Sequence, residues 1–286
     1  YREDEQGEER RVQKEQETKL RTDDGAFGGM HMPKAYHNKL IKAVLQFGLI
    51  EDSDKVLVGF SGGKDSAFLM YALKCLKEHF TLDFELGSVT VDIGFEAPLN
   101  EAGIVAFAGK VGVPHGFVRT RAYETIKARS EESPCAWCSY FRRACINSFA
   151  KENGYNKVAY AHHMDDAIET LLMNMLYSGR AGTFLPRTEL SRSGVSVIRP
   201  LIYFSEKEVR RSLKFMGFTP IPNPCPYERD TCRAKVKELV RSLDMENRMV
   251  RRNLEAVVKA GLVGQIVSEG PDKARKSFPG DLYEEH

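Results

Sequence analysis

The residues most open to a chemical reading are Gly59-Phe60-Ser61-Gly62-Gly63-Lys64-Asp65-Ser66. Adjacent glycines let a backbone approach a ligand closely. A helix opening after them would present unpaired N–H groups and its positive dipole end, and Lys64 adds a full charge. Phosphate suits such a place. The stretch is not a Walker A loop, which needs four residues between its glycines and Ser or Thr after the lysine. Here Gly59 and Gly63 are one residue too close, and Asp65 follows Lys64. A carboxylate beside phosphates repels them unless Mg²⁺ bridges the two. The plain alternative is an ordinary glycine turn before a helix.

Other reactive groups cluster further on. His162-His163-Met164-Asp165-Asp166 stands between an apolar run, 157–161, and a helical pattern of Ile168, Leu171, Leu172, Met175 and Leu176. Both residue types ligate metals. A helix cap explains one aspartate, but four polar groups exceed what capping needs. Cys135 and Cys138 have the C-x-x-C spacing that chelates a metal or cluster, a redox dithiol being the other chemistry. Pro134 and a helix start pin the pair at a helix N-terminus. Cys225 lies in Pro220-Ile221-Pro222-Asn223-Pro224-Cys225-Pro226, whose prolines fix an extended path, and Cys232 follows seven residues later. Cys75 and Cys145 read as core residues, and His115, after Pro114, as structural. Asp92 ends an apolar run. In an open α/β sheet that end binds ligands, so Asp92 is expected near a nucleotide or metal, a loop cap being the alternative.

These groups need elements to position them. Strands are expected at 55–59, 85–92, 115–119, 157–161 and 195–199, and helices at 36–47, 64–79 and 102–111 and after Pro134 and His163. Ser205 and Glu208 form a capping box at the start of another helix. The alternation implies an α/β fold, a parallel sheet with helices on both faces. Residues 179–194, with Arg180, Arg187 and Arg192, read as a loop. After Gly217 the chain reads as helical to about Gly261, with Arg229, Arg233, Lys235, Lys237, Arg241, Arg248, Arg251 and Arg252. These are either RNA-backbone contacts or a solvated face with interspersed acids. The expected organisation is a charged tail at 1–29, a catalytic domain at 30–218, a cysteine-bearing helical region at 219–265 and a second tail at 266–286. The chain begins at Tyr1 and is read as missing its first residues.

Composition narrows the classes. The 286 residues carry 42 Lys and Arg against 40 Asp and Glu, a net charge of +2, so any nucleic-acid contact comes from local patches. No apolar run approaches membrane-spanning length and no secretory signal is visible, so a cytoplasmic protein without a membrane partner is expected. Six cysteines in such a chain point to reduced thiols or metal ligands rather than a disulfide scaffold.

The string SGGKDS resembles the pyrophosphate loop of the PP-loop ATPases, which cleave ATP to AMP and pyrophosphate. His162-His163-Met164-Asp165-Asp166 resembles their G-H-H/N-x-D-D motif, with Ala161 in the glycine position. Together with C-x-x-C, the Arg199-Pro200-Leu201 strand end and a late cysteine, residues 36–260 resemble the tRNA 2-thiocytidine synthetase group. The resemblance implies an adenine nucleotide alpha hydrolase-like fold with a small helical C-terminal extension. It implies ATP-dependent sulfuration of a tRNA base, cytidine 32, with sulfide or a persulfide as sulfur donor. It also implies ATP held by Ser61, Gly62, Gly63, Lys64, Asp65, Ser66, Asp92 and His163, and Mg²⁺ oriented by Asp65 and Asp166, with Asp165 second in line. Cys135, Cys138 and Cys225 would hold a 4Fe-4S cluster. Relatives of this kind often form homodimers. One departure is that the group has a second C-x-x-C where this chain has Cys225 and Cys232. If Cys232 also ligates, four thiolates make a closed zinc site or a cluster without an open iron. Thiouridine and lysidine synthetases, small-molecule sulfur transferases and a zinc-stapled nucleic-acid-binding protein are the competing readings.

Overall fold

The computed structural model describes residues 30–129, 134–190, 194–226 and 232–268. The tail expected at 1–29, most of that at 266–286, and Arg192 and Arg229 lie outside them. The strands are β1 (Lys55–Gly59), β2 (Glu85–Asp92), β3 (His115–Arg119), β4 (Lys157–Ala159), β5 (Arg187–Leu190) and β6 (Val195–Ile198). They form one sheet in the order β3-β2-β1-β4-β6-β5, parallel throughout except for β5, which runs antiparallel to β6. The strand order reverses direction at β1, so a crevice opens between the carboxyl ends of β1 and β4, where such sheets bind ligands.

Side chains alternate across the sheet because successive Cβ atoms point to opposite faces. Val56 and Val58 enter one core with helices α1 (Lys34–Gln46), α2 (Lys64–His79), α3 (Glu101–Val111), α6 (Met164–Ser178) and α7 (Glu206–Met216). Leu57 points the other way, into a core closed by α4 (Ala122–Arg129) and α5 (Pro134–Glu152). Phe60, Phe68, Phe84 and Phe204 are fully buried. Each such ring contributes about 1.5–3 kcal/mol of apolar transfer energy. Helices α8 (Cys232–Glu246) and α9 (Met249–Ser268) pack against α6, with Val236, Val258 and Leu262 buried.

Three expectations need correction. The span 179–194 is not all loop. It contains β5, four residues with no apolar alternation, held by pairing with β6. The late helical stretch is two helices, broken where the Asn247 side chain accepts from the Met249 N–H, and it runs on to Ser268. Strands β4 and β6 stop at Ala159 and Ile198, because the chain leaves the ladder to build the site.

Candidate active site

The glycine-rich loop turns out of β1 into α2. Gly62 has φ +78°, a left-handed conformation that favours glycine, and a Cβ there would lie 3.1 Å from Ile221. Ser66 braces the turn: its Oγ donates to the Gly63 carbonyl and accepts from the Ser61 N–H, both at 3.1 Å. Gly63 caps α2 with no side-chain hydrogen bond, so the first N–H groups of the helix face the space beyond the loop. Lys64 Nζ lies 2.9 Å from Asp65 and 3.5 Å from Glu206, the first residue of α7.

Across the crevice, the chain after β4 carries the His-Asp string. His163 caps α6 and is buried, its Nε2 3.5 Å from Asp65 and its Nδ1 3.2 Å from Asp166. Burial alone pulls this imidazole down, but Asp65, Asp166 and Asp165 outweigh it and raise the pKa above the ordinary value. Burial pushes the Asp65 carboxyl up. His163 and Lys64 outweigh that and hold it at about 2, so Asp65 is ionised at neutral pH. Asp166 accepts from the His163 backbone N–H at 2.9 Å, closing the first turn of α6.

The C-terminal helices reach into this cluster, which no periodicity could have announced. Arg233 of α8 lies 3.0 Å from Asp166 and 3.4 Å from Glu169, and Arg251 of α9 pairs with Asp165. Lys237 lies 2.9 Å from Glu206, whose N–H donates to Asp165. Arg233, Lys237 and Arg251, expected either to contact RNA or to lie on a solvated face, pair with carboxylates of the site instead. Burial, then Asp166, pushes Glu169 up to about 7. Glu169 and Glu206 are site residues that sequence reasoning missed, and for these cations it missed their place in the cluster. Their signal is tertiary, since each looks like a solvated charge on its own helix.

The thiols gather on the other side of the loop. Cys135 and Cys138 open α5, as expected. Cys225 comes from the extended proline segment, which docks on the phosphate loop through Ile221 N–H to the Gly62 carbonyl at 2.9 Å. Burial raises both Cys135 and Cys138. Arg142 opposes this at Cys138, and the nearby Cys225 thiol raises both further. Three soft thiols brought to one side of the loop, with Cys225 bearing on both Cys135 and Cys138, are a donor set that fits an iron–sulfur cluster. Among the described residues, no three His, Cys, Asp or Glu side chains form a ready cage for a single metal ion. Cys232 is exposed at the start of α8. Cys75 is buried and Cys145 half-buried, as expected of packing residues. His115 meets Ser88 Oγ at 2.9 Å, a structural contact. Asp92 ends β2, and its carboxylate accepts from the Gly94 N–H at 2.9 Å, the loop cap weighed as its alternative.

A phosphate-receptive loop after the central strand of a parallel sheet, faced by a His-Asp cluster from the adjoining strand, defines a nucleotide-binding domain of the PP-loop class. A family model described as a PP-loop domain matches residues 33–242. The chain is 34% identical over 221 residues to the tRNA-cytidine(32) 2-sulfurtransferase of Geobacter metallireducens, covering 76% of this chain and 86% of that protein. It is 34% identical over 244 residues to the protein of the same name from Legionella pneumophila strain Paris, covering 83% and 86%. Among solved structures, the U34-tRNA thiolase NcsA from Methanococcus maripaludis with its 4Fe-4S cluster shares the fold. It has a TM-score of 0.66 at 22% identity, over 80% of this chain and 78% of that one. The chain belongs to the PP-loop family, in the group of the tRNA-cytidine(32) 2-sulfurtransferases.

Proposed function

We propose that this protein is an ATP-dependent tRNA sulfurtransferase that replaces the C2 oxygen of cytidine 32 with sulfur in the cytoplasm. The observation that supports this is the docking of the segment that bears Cys225 on the phosphate loop, through Ile221 and Gly62. The relatives' names supply the substrate.

A base carbonyl oxygen is a poor leaving group, so it must first be activated. The cytosine O2 attacks the α-phosphorus of ATP, the bond to the β-phosphate oxygen breaks, and pyrophosphate leaves. The α2 N-terminus, Ser61, Gly62, Gly63 and Ser66 receive its charge, together with Lys64. Asp65 and Asp166 would hold Mg²⁺, a cation that takes one or two carboxylates plus phosphate oxygens. Asp65 suits this because it stays ionised. His163 orients Asp65, and Asp166 becomes available as Arg233 yields it. Asp92, on the strand next to β1, borders the nucleotide. Sulfide, supplied as such or released from a persulfide by a thiol reductant, then attacks C2, and AMP leaves with the former base oxygen. Cys135, Cys138 and Cys225 would hold a 4Fe-4S cluster, which when bound supplies an iron with an open position for sulfur. Residues 30–218 form the catalytic unit, 219–265 its cysteine-bearing extension, and two copies associate as a homodimer.

The test is thiolation of an unmodified tRNA transcript by anaerobically purified, iron-loaded protein with ATP, Mg²⁺ and sulfide. Nucleoside mass spectrometry is expected to find 2-thiocytidine. A thiouridine product would move the target base. AMP release without any thionucleoside would overturn sulfur transfer.

A further inference from the structure

The strand end Arg199-Pro200-Leu201 has no task in the chemistry above, and its arginine is unusual. Arg199 sits just past β6, deep enough that burial pulls its guanidinium down to about 10, yet part of the side chain still meets solvent. It therefore lines a recess rather than the closed core. Nη1 donates to the Leu185 carbonyl at 2.6 Å and to Thr188 Oγ1 at 3.2 Å, while the buried Nε has no partner among the described residues. The guanidinium lies over the Phe184 ring at 5.1 Å. The groups that bear electrostatically on it are Tyr160 and another cation, Arg143, with no carboxylate among them.

The neighbours repeat the pattern. Tyr160, just past β4, has a buried hydroxyl without a partner among the described residues, and burial pushes its pKa up so that it stays a donor. His162 has a buried Nδ1 without a partner among the described residues, and its ring lies tilted against Phe184 at 5.0 Å. Burial, then Arg199, Arg233, His163 and Arg143, hold His162 well below the usual imidazole range, so it is neutral. Buried polar groups are ordinarily satisfied, and three orphans in one place call for a missing partner. Donors and cations without an acid call for an acceptor that is negatively charged.

Place decides which anion. The recess lies at the carboxyl ends of β4 and β6, and a Cβ on Gly59, where β1 enters the phosphate loop, would sit 3.5 Å from the Tyr160 ring. Tyr160 packs in the same apolar cluster as Cys138 and Trp137. The recess thus borders both the phosphate loop and the thiol helix, while the loop's own N–H groups already face the ATP phosphates. We infer that Arg199, Tyr160 and His162 form a second anion site that binds a phosphodiester of the RNA substrate and so aims the target base between the phosphate loop and the thiols. This rests on the chain acting on tRNA.

The experiment measures tRNA binding against salt, and ATP binding separately, for the full chain and for Arg199→Gln, Arg199→Lys and Tyr160→Phe. Arg199→Gln is expected to weaken tRNA binding about tenfold or more and to lower the salt slope by about 1. Arg199→Lys should lose part of that affinity, Tyr160→Phe several-fold, and ATP binding should be unchanged in all three. Should Arg199→Gln fail to fold, the other two carry the test. Weaker ATP binding with unchanged tRNA binding would assign the site to the nucleotide's own phosphate and overturn the inference. Unchanged binding of both would leave Arg199 as a brace for residues 185–188 and overturn it too. If the parent chain binds no tRNA, the tRNA assignment itself fails and the inference with it.

Discussion

Lys64 is held between Asp65 and Glu206, so its charge is already aimed at the mouth of the loop. Lys64→Ala should lower ATP-dependent pyrophosphate release by about 100- to 1000-fold, the scale for one preorganised donor, while iron content stays at the parent level. Pyrophosphate release at the parent rate would sink the pyrophosphate role. Cys225→Ala should lose iron as completely as Cys135→Ala, and Cys232→Ala should keep it; the reverse would transfer the third ligand to Cys232. Glu169 carries a pH signature. Its pKa in the folded state, about 7, lies above the ordinary 4.5, so the native state binds this proton more tightly. Its contribution to stability is therefore full below about 4.5 and lost as pH rises through about 7. Glu169→Gln should match the parent's urea midpoint near pH 5 and exceed it above pH 8; a gap that does not vary with pH would refute this. At this scale the sequence was informative where chemistry is local. Lys64, Asp65 and the His-Asp string announce themselves by type and spacing, whereas Glu169 is perturbed only by what folds over it.

Among the elements, the start of α7 has two tasks. Ser205 and Glu208 close a capping box, and the same turn presents Glu206 to Lys64 and Lys237 and its N–H to Asp165. Ser205→Ala should cost about 1 kcal/mol by urea denaturation, the usual size of a lost cap. It should also weaken ATP use, because Glu206 loses its fixed position. A stability loss with unaltered kinetics would limit the cap to a structural role. The box was legible because its residues are three apart in one segment. So were β1 to β4 and helices α2 and α3, whose apolar periods are strong. β5 was not, because Arg187-Thr188-Glu189-Leu190 shows no strand pattern and becomes a strand by pairing with β6. Helix α4 was missed because it is short, eight residues, and buries only Tyr123 and Ile126 among its described apolar positions.

In the whole molecule, the three thiols span two regions, Cys135 and Cys138 on the helix covering the sheet and Cys225 on the segment leading to the C-terminal helices. A group bound by all three ties those regions together and stabilises the fold by mass action. Were iron bound there, removing it with a chelator should lower the melting temperature and open the chain around 219–226 to protease, read by mass spectrometry of the fragments. Identical cleavage with and without iron would argue against the staple. The convergence of these regions was only half legible. The cysteines stood out, but the inward turn of Arg233 and Arg251 onto Asp166 and Asp165 needed the fold. That same convergence sets an order of events during synthesis. When Cys138 leaves the ribosome, Cys225 is still about ninety residues behind it. At the usual pace of translation that is a wait of roughly 5 to 20 s. Over that interval the nascent chain carries two of the three thiols and aspartates not yet covered by α8 and α9, so a cluster held by all three thiols would be loaded only after Cys225 has emerged.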